Sequence, residues 1–164
     1  MIDLESFSIG YLAAIVDGEG TIDLIIRSRG SYNDYLPYVV VFNTEKSIID
    51  STKDMASVGK IPRPIPPKGN RHKDLYRLWI RQQEDIVYFL ERIQPFLMSK
   101  RKKRLAELLI EYCLIRLKRN RGARSHGIKL GTHSERENEI WEEVRELNKR
   151  AGGEWYEGDN SMAL

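Results

Sequence analysis

The stretch "IGYLAAIVDGEG", Ile9 to Gly20, joins the most apolar run of the chain to two acids, Asp17 and Glu19, each followed by a glycine. No residue from Ile9 to Val16 carries a charge. The run reads as a helix from about Phe7 to Asp17, with Ser6 or Ser8 able to accept from a free backbone N–H at its start. A surface helix shows a polar face; this one shows none, so it should be covered on every side. Gly10, Ala14 and Gly18 recur every four residues and share one helical face, where another backbone can come close. The acids follow at the negative end of the helix macrodipole, where a carboxylate is disfavoured by roughly 0.3–1 kcal/mol and a cation is favoured. Glycines on both sides of Glu19 leave room for a backbone or an ion. A hard divalent ion takes carboxylate and carbonyl oxygens together with water and substrate phosphate. On the residues alone two readings stand: half of such a site, or acids that cap a neighbouring backbone or pair with an arginine.

Outward from this stretch the periodicity changes. "TIDLIIRSRG" alternates, with Ile22, Leu24 and Ile26 on one face and Thr21, Asp23, Ile25, Arg27 and Arg29 on the other. "GSYND" reads as a turn and "YLPYVVVFN" as a second strand, so Thr21 to Asn43 forms a hairpin. "TEKSIIDSTKDMASVG" follows as a helix capped by Thr44 and ended by Gly59, with Ile48, Ile49, Met55 and Val58 as apolar contacts. The pattern then repeats. "KIPRPIPPKGNRHK" is too rich in proline for a central strand and reads as an edge strand plus loop. "DLYRLWIRQQ" alternates again, with Tyr76, Leu78 and Ile80 opposite Arg77, Trp79 and Arg81, and "EDIVYFLERI" is helical up to Pro95.

A basic cluster, Lys100 to Arg104, opens a further helix with its stripe at Leu105, Leu108, Leu109, Tyr112 and Ile115. Lys118 to His133 reads as a basic connector containing glycines. A last helix capped by Ser134 turns Ile140, Trp141, Val144 and Leu147 inward. The expected organisation is one α+β domain over residues 1–150, helices on one sheet face, with a loose tail over 151–164.

The 164 residues suffice for one ordinary domain, and the net charge of +3 permits a nucleic-acid partner without arguing for one. One cysteine, Cys113, excludes an internal disulfide and a cysteine-built zinc site, and it reads as core. His72, His126 and His133 have no ligand spacing and read as surface residues. No apolar run approaches the ~20 residues of a membrane span. The acidic start "MIDLESFS" is unlike a signal or transit peptide, so the expected setting is intracellular, either a prokaryotic cytoplasm or an organelle.

"LAAIVDGEG", Leu12 to Gly20, resembles the LAGLIDADG motif of homing endonucleases, with Ala14 in place of a glycine and Glu19 in place of the second aspartate. The family core is αββαββα, the order read above from periodicity. "IQPFLMSK", Ile93 to Lys100, resembles the family segment that ends in a lysine of the catalytic pocket. The resemblance spans about Phe7 to Arg116 and leaves the C-terminal helices unmatched. It implies a saddle-shaped antiparallel sheet and a site-specific, intron-encoded double-strand DNA endonuclease of the single-motif type. Such a chain acts as a homodimer, its first helices packed through a seam of Gly10, Ala13, Ala14 and Asp17, on a long pseudo-palindromic site. It implies that Glu19 and the Gly18 carbonyl bind Mg²⁺, with Mn²⁺ or Ca²⁺ able to substitute, and that hydrolysis leaves short 3′ overhangs. Lys100 would stabilise developing negative charge or organise solvent; read alone, it is a phosphate-binding or solvated helix start. Asn43, or Glu45 if the alignment shifts, would order water; read alone, Asn43 is a turn or cap residue.

On the same resemblance the sheet face turned away from the helices lies in the major groove, where a β-ribbon fits. Asp23, Ile25, Arg27, Arg29, Tyr38, Arg77, Trp79 and Arg81 would then meet the bases. The rival readings are an intron maturase that binds RNA and a non-catalytic DNA-binding regulator on the same scaffold. Retention of Glu19 and Lys100 places the nuclease ahead of both.

Overall fold

The computed structural model describes residues 4–29, 32–69, 72–126 and 133–149. Helix α1 (Leu4–Glu19) runs directly into strand β1 (Gly20–Arg29), which pairs with β2 (Tyr32–Asn43). Helix α2 (Lys46–Ala56), strand β3 (Tyr76–Ile80) and helix α3 (Gln83–Ile93) follow. A 3-10 turn (Gln94–Phe96) then leads to α4 (Lys100–His126) and α5 (Glu135–Lys149). The expected tail, 151–164, lies outside the described residues.

The sheet is antiparallel in the order β1-β2-β3. Its register places Ile22 opposite Val39, Val39 opposite Ile80 and Val41 opposite Leu78. These side chains belong to one buried cluster with Leu12 and Val16 of α1, Ile49 of α2, Phe89 and Leu90 of α3, Leu105 and Leu109 of α4, and Ile140 and Val144 of α5. The period-two apolar face and the helical stripes therefore meet as the sequence pattern requires.

Three features differ from the expectation. The second hairpin of the αββαββα order is incomplete: among the described residues of 60–75, strand-like backbone pairing is confined to the bridges Lys60–Trp79 and Ile65–Leu75. Pro62, Pro64, Pro66 and Pro67 lack the N–H groups that a continuous ladder needs. Helix α2 starts after Glu45 rather than at a Thr44 cap, and Ser57, with φ 60°, takes the left-handed position at its end. Helix α4 continues for 27 residues, about 40 Å, through a stretch expected to begin a connector.

Helix α5 begins with a capping box. The Ser134 hydroxyl accepts from the Glu137 N–H at 3.2 Å, and the Glu137 carboxylate accepts from the Ser134 N–H at 2.6 Å. The same carboxylate is fully buried and meets the Arg116 and Arg119 guanidinium groups of α4. Arg116 in turn reaches Asp34 of β2 at 3.0 Å. His133, expected at the surface, instead stacks on Tyr35 at 4.0 Å between ring centres, and Tyr35 also stacks on Trp141 at 5.5 Å. Helices α4 and α5 thus grip the far part of the β1–β2 hairpin.

Burial alone would raise the Glu137 pKa, but the hydrogen bonds from Ser134 and the charges of Arg119 and Arg116 outweigh it and hold the carboxyl below its usual 4.5. A carboxyl depressed in the folded state stabilises the fold fully above its unfolded value and loses that contribution as pH falls through the folded value. Glu137→Gln is therefore expected to cost about 3 kcal/mol at pH 7, because it leaves buried arginines without their anion. In urea titrations the gap between wild type and variant should close as the pH drops below about 4.

Candidate active site and nucleic-acid face

The end of α1 is built around a tight helix-to-strand junction at Gly20. A Cβ placed there would lie 2.7 Å from both Cα and the carbonyl oxygen of Val16, so only glycine fits without moving backbone. The junction holds Glu19, the last helical residue, with its side chain exposed. Asp17, two residues earlier, points back into the chain. Its carboxylate accepts from the Met98 N–H at 2.6 Å and the Ser99 N–H at 3.3 Å. Asp17 was expected both among the seam residues and as an acid that caps a neighbouring backbone; its carboxylate does cap the backbone just ahead of α4.

Lys102 fills the space beneath this junction. Its ammonium donates to the Val16 and Asp17 carbonyls, each at 2.6 Å, and the residue is only 6% exposed. Burial lowers its pKa, neighbouring Arg101 adds to the effect, and Asp17 and Glu19 oppose it. Lys100, the resemblance's pocket lysine, is the exposed first residue of α4, directly after the Met98–Ser99 backbone that Asp17 holds. The lysine that reaches the motif helix is therefore Lys102. Five consecutive cations conceal which one folds inward, and only helix phase against a neighbour could reveal it. Asn43 accepts from the Glu45 N–H at 2.9 Å, a local turn at the start of α2, and Glu45 pairs with Lys73 at 3.1 Å on the surface.

The seam residues separate. Ala13 is 1% exposed and packs into the chain's own core, because it lies on the Leu12–Val16 side of α1, so within one chain it is already covered. Ala14 and Gly18 are exposed, and Gly10 is half-buried. A Cβ added at Gly10 or Gly18 would meet nothing within 4 Å. The small side chains at these two positions are thus not demanded by packing within the chain. Phe7, on the same face one turn earlier, is exposed, as are Phe96 and Met98 beside the far end of α1.

The outer face of the sheet carries Asp23, Ile25, Tyr38, Val40, Arg77 and Trp79 in paired register. Trp79 is flanked by two guanidinium groups, Arg77 at 4.9 Å and Arg81 at 4.5 Å from the ring centre, and Tyr38 meets it edge-on. Burial lowers the Arg77 pKa. Among the described residues, neither Arg77 Nε nor Trp79 Nε1 has an acceptor although both atoms are buried. Ile25 is exposed and Arg27 half-buried, whereas the side chain of Arg29 lies outside the described residues.

Asp23 corrects the expectation of a base-reading acid. It is 4% exposed and accepts from its neighbour Leu24 N–H at 2.8 Å, Asn148 Nδ2 at 3.0 Å and the Tyr38 hydroxyl at 3.3 Å. Burial raises its pKa and these hydrogen bonds oppose the rise; Tyr38 is pushed upward by burial and by Asp23. Asn148 also donates to the Ile22 carbonyl and accepts from Arg101, joining the end of α5 to β1 and the start of α4. Alternation correctly assigned Asp23 to the outer face. That a distant helix end would cover it was not readable locally.

Glu19 and the Gly18 carbonyl are hard oxygen donors at an electronegative helix end, the donor chemistry that Mg²⁺ and Ca²⁺ accept. Among the described residues there is no group of three or more His, Cys, Asp or Glu side chains able to hold a metal. Glu19 and the Gly18 carbonyl could fill only part of such an ion's shell, leaving the rest to water and phosphate oxygens.

No protein-family model matches the sequence, and no curated protein matches it. The fold does match solved structures. The I-CvuI homing endonuclease, in complex with the I-CreI target and Mg, aligns over 92% of this chain and 98% of its own, with a TM-score of 0.58 and 17% identity. The archaeal intron-encoded homing endonuclease I-Vdi141I, complexed with DNA, aligns over 96% and 92%, with a TM-score of 0.65 and 16% identity. The group I intron-encoded endonuclease I-CeuI, complexed with DNA, aligns over 88% and 69%, with a TM-score of 0.63 and 13% identity. The chain has the LAGLIDADG homing endonuclease fold. At these identities the match establishes architecture, and within that architecture "LAAIVDGEG" occupies the end of α1 and the junction to β1. A second I-CvuI complex was solved with Ca. No described helix is long and apolar enough to cross a membrane.

Gly20→Ala tests the junction. The added methyl must displace the Val16 backbone, so a loss of about 2 kcal/mol is expected in chemical denaturation. Gly18→Ala, with open space around it, should leave the stability of the isolated chain almost unchanged.

Proposed function

We propose that the protein is a site-specific double-strand DNA endonuclease of the single-motif homing type, encoded within an intron and active as a homodimer with Mg²⁺. The observation that carries the reading is the pairing, on one helix, of an exposed terminal acid with a small-residue face that the chain itself leaves open. A second α1 laid against Gly10, Ala14 and Gly18 covers that face and brings two Glu19 carboxylates together near the two-fold axis. Such an isologous contact matches a pseudo-palindromic site. Two three-stranded sheets side by side form the saddle, and residues 1–150 work as one endonuclease domain.

Each Glu19 carboxylate, with the Gly18 carbonyl, would hold the divalent ion. When bound, Mg²⁺ supplies polarisation of the scissile phosphate, a more acidic water and stabilisation of the leaving 3′ oxygen. Lys100 faces the developing negative charge or orders solvent, and Asn43, or Glu45, orders water. Water attacks phosphorus, the bond to the 3′ oxygen breaks, and a 5′-phosphate and a 3′-hydroxyl result. One such event on each strand leaves short 3′ overhangs.

Specific contact comes from the outer sheet face. Arg77 and Arg81 suit guanine O6 and N7, and Trp79 Nε1 needs an acceptor that DNA provides. Ile25 and Arg27 extend the contact along β1, Arg29 continues it toward the hairpin end, and Tyr38 supports Trp79. Asp23 is absent from this set because its carboxylate is already satisfied.

The joined sequences flanking the gene provide the DNA to test. Glu19→Gln should retain specific binding in Ca²⁺ and lose cleavage in Mg²⁺; full activity in that variant refutes the mechanism. Ala14→Leu should convert a dimer in sedimentation equilibrium to a monomer without loss of folded signal. A wild-type monomer that cuts both strands refutes the seam.

A further inference from the structure

A helix C-terminus leaves four carbonyls without partners inside the helix. In α1 these belong to Val16, Asp17, Gly18 and Glu19. Lys102 takes the first two through one ammonium group, at 2.6 Å each. The Asp17 carboxylate meanwhile takes the Met98 and Ser99 N–H groups, and Ser99 Oγ accepts from the Lys102 N–H at 3.3 Å. The contact is therefore reciprocal: a side chain of α4 holds the backbone of α1, and a side chain of α1 holds the backbone that starts α4.

Burying an ammonium is costly, and water could satisfy the same carbonyls on a surface helix. What Lys102 adds is a cation locked at the negative end of the helix, in the field of both Asp17 and Glu19. The two carbonyls it occupies directly precede those of Gly18 and Glu19. With Gly20 pressed against Val16, the last turn of α1 is held from both sides. A first shell must be kept within about 0.5 Å of its productive geometry by supporting contacts.

We infer that Lys102 is a positioning residue for phosphodiester cleavage: it pins the last turn of α1 so that the Gly18 carbonyl and the Glu19 carboxylate face one point. This rests on the nuclease reading of the same site. Lys102 touches neither DNA nor metal; it acts through the carbonyls of Val16 and Asp17.

The test uses the full chain with Lys102→Met, which keeps the stem and removes the donors and charge, and Lys102→Arg, which keeps both. Single-turnover cleavage by Lys102→Met in Mg²⁺ should fall about 100-fold, the usual cost of an ångström-scale misplacement. The Mg²⁺ concentration at half-maximal rate should rise about tenfold, and Ca²⁺-supported DNA affinity should stay within about threefold. Lys102→Arg should recover the rate to within about tenfold of wild type. In the metal-free protein, amide exchange over Asp17–Thr21 should accelerate in Lys102→Met while Val39–Val41 of the central strand stays protected.

Cleavage by Lys102→Met at the wild-type rate and Mg²⁺ midpoint overturns the inference. So does parallel loss of rate, DNA affinity and central-strand protection, which marks a merely structural role; if Lys102→Met does not fold, Lys102→Gln, which removes the charge and shortens the side chain, is measured in its place with the same expected outcomes. If wild type itself does not cut, the nuclease reading fails. The exchange measurement then still decides whether Lys102 pins the helix end.

Discussion

Helix α1 has more apolar surface than one chain covers, and it ends in charge. Leu12, Ala13 and Val16 lock one side into the core, while Ala14 and Gly18 stay open on the other. The end of the same helix gathers negative potential from its own carbonyls, Asp17 and Glu19. An isolated chain answers the charge with Lys102 and the backbone ahead of α4, and it leaves the open face unanswered. Most of the remaining architecture follows from holding this one helix in place. The 3-10 turn after α3 brings Met98 and Ser99 to Asp17, and α4 starts where its third residue reaches beneath the junction.

The sheet has its own division of labour. Its inner face is apolar and continuous across all three strands. Its outer face is a mixture of satisfied and unsatisfied polar groups. Asp23, Tyr38 and Asn148 form a closed hydrogen-bonded network on this face. Arg77 and Trp79 keep buried donors without acceptors, which costs free energy in the isolated chain and favours a partner rich in oxygen and ring nitrogen. Rigid scaffold and readable surface thus lie side by side on one strand register.

The C-terminal helices explain themselves through the hairpin. The part of the β1–β2 ribbon around Asp34 and Tyr35 is held by α4 and α5. Tyr112 donates to the Tyr35 carbonyl at 3.0 Å, Arg116 reaches Asp34, and Trp141 and His133 stack on Tyr35. Exposed bidentate pairs, Arg104–Glu143 and Arg136–Glu111, link α4 to α5, but exposed ion pairs add little to stability. The buried Glu137 cluster matters more, because its groups have no water to fall back on. A two-stranded ribbon is marginal unless packed against something, and here that something is α4 with α5.

The sequence by itself determined the helix that ends in "DGEG", both faces of β1 and β3, the helical stripes and the Ser134 cap. Each is a local pattern of period, cap or turn, and local patterns are read from neighbouring residues. The Pro-rich segment was legible as an edge, although its reduction to two bridges depended on how four prolines fell against a partner's donors. Tertiary structure alone decided which member of "KRKKR" turns inward, that Asp17 caps a backbone some eighty residues away, that Asp23 is covered by the end of α5, and that Ala13 faces the core while Ala14 does not. Those outcomes depend on helix phase and on groups far apart in the chain. Charge and hydrogen-bonding capacity can be counted from composition, but their satisfaction requires a partner at about 3 Å, and only the folded chain supplies one.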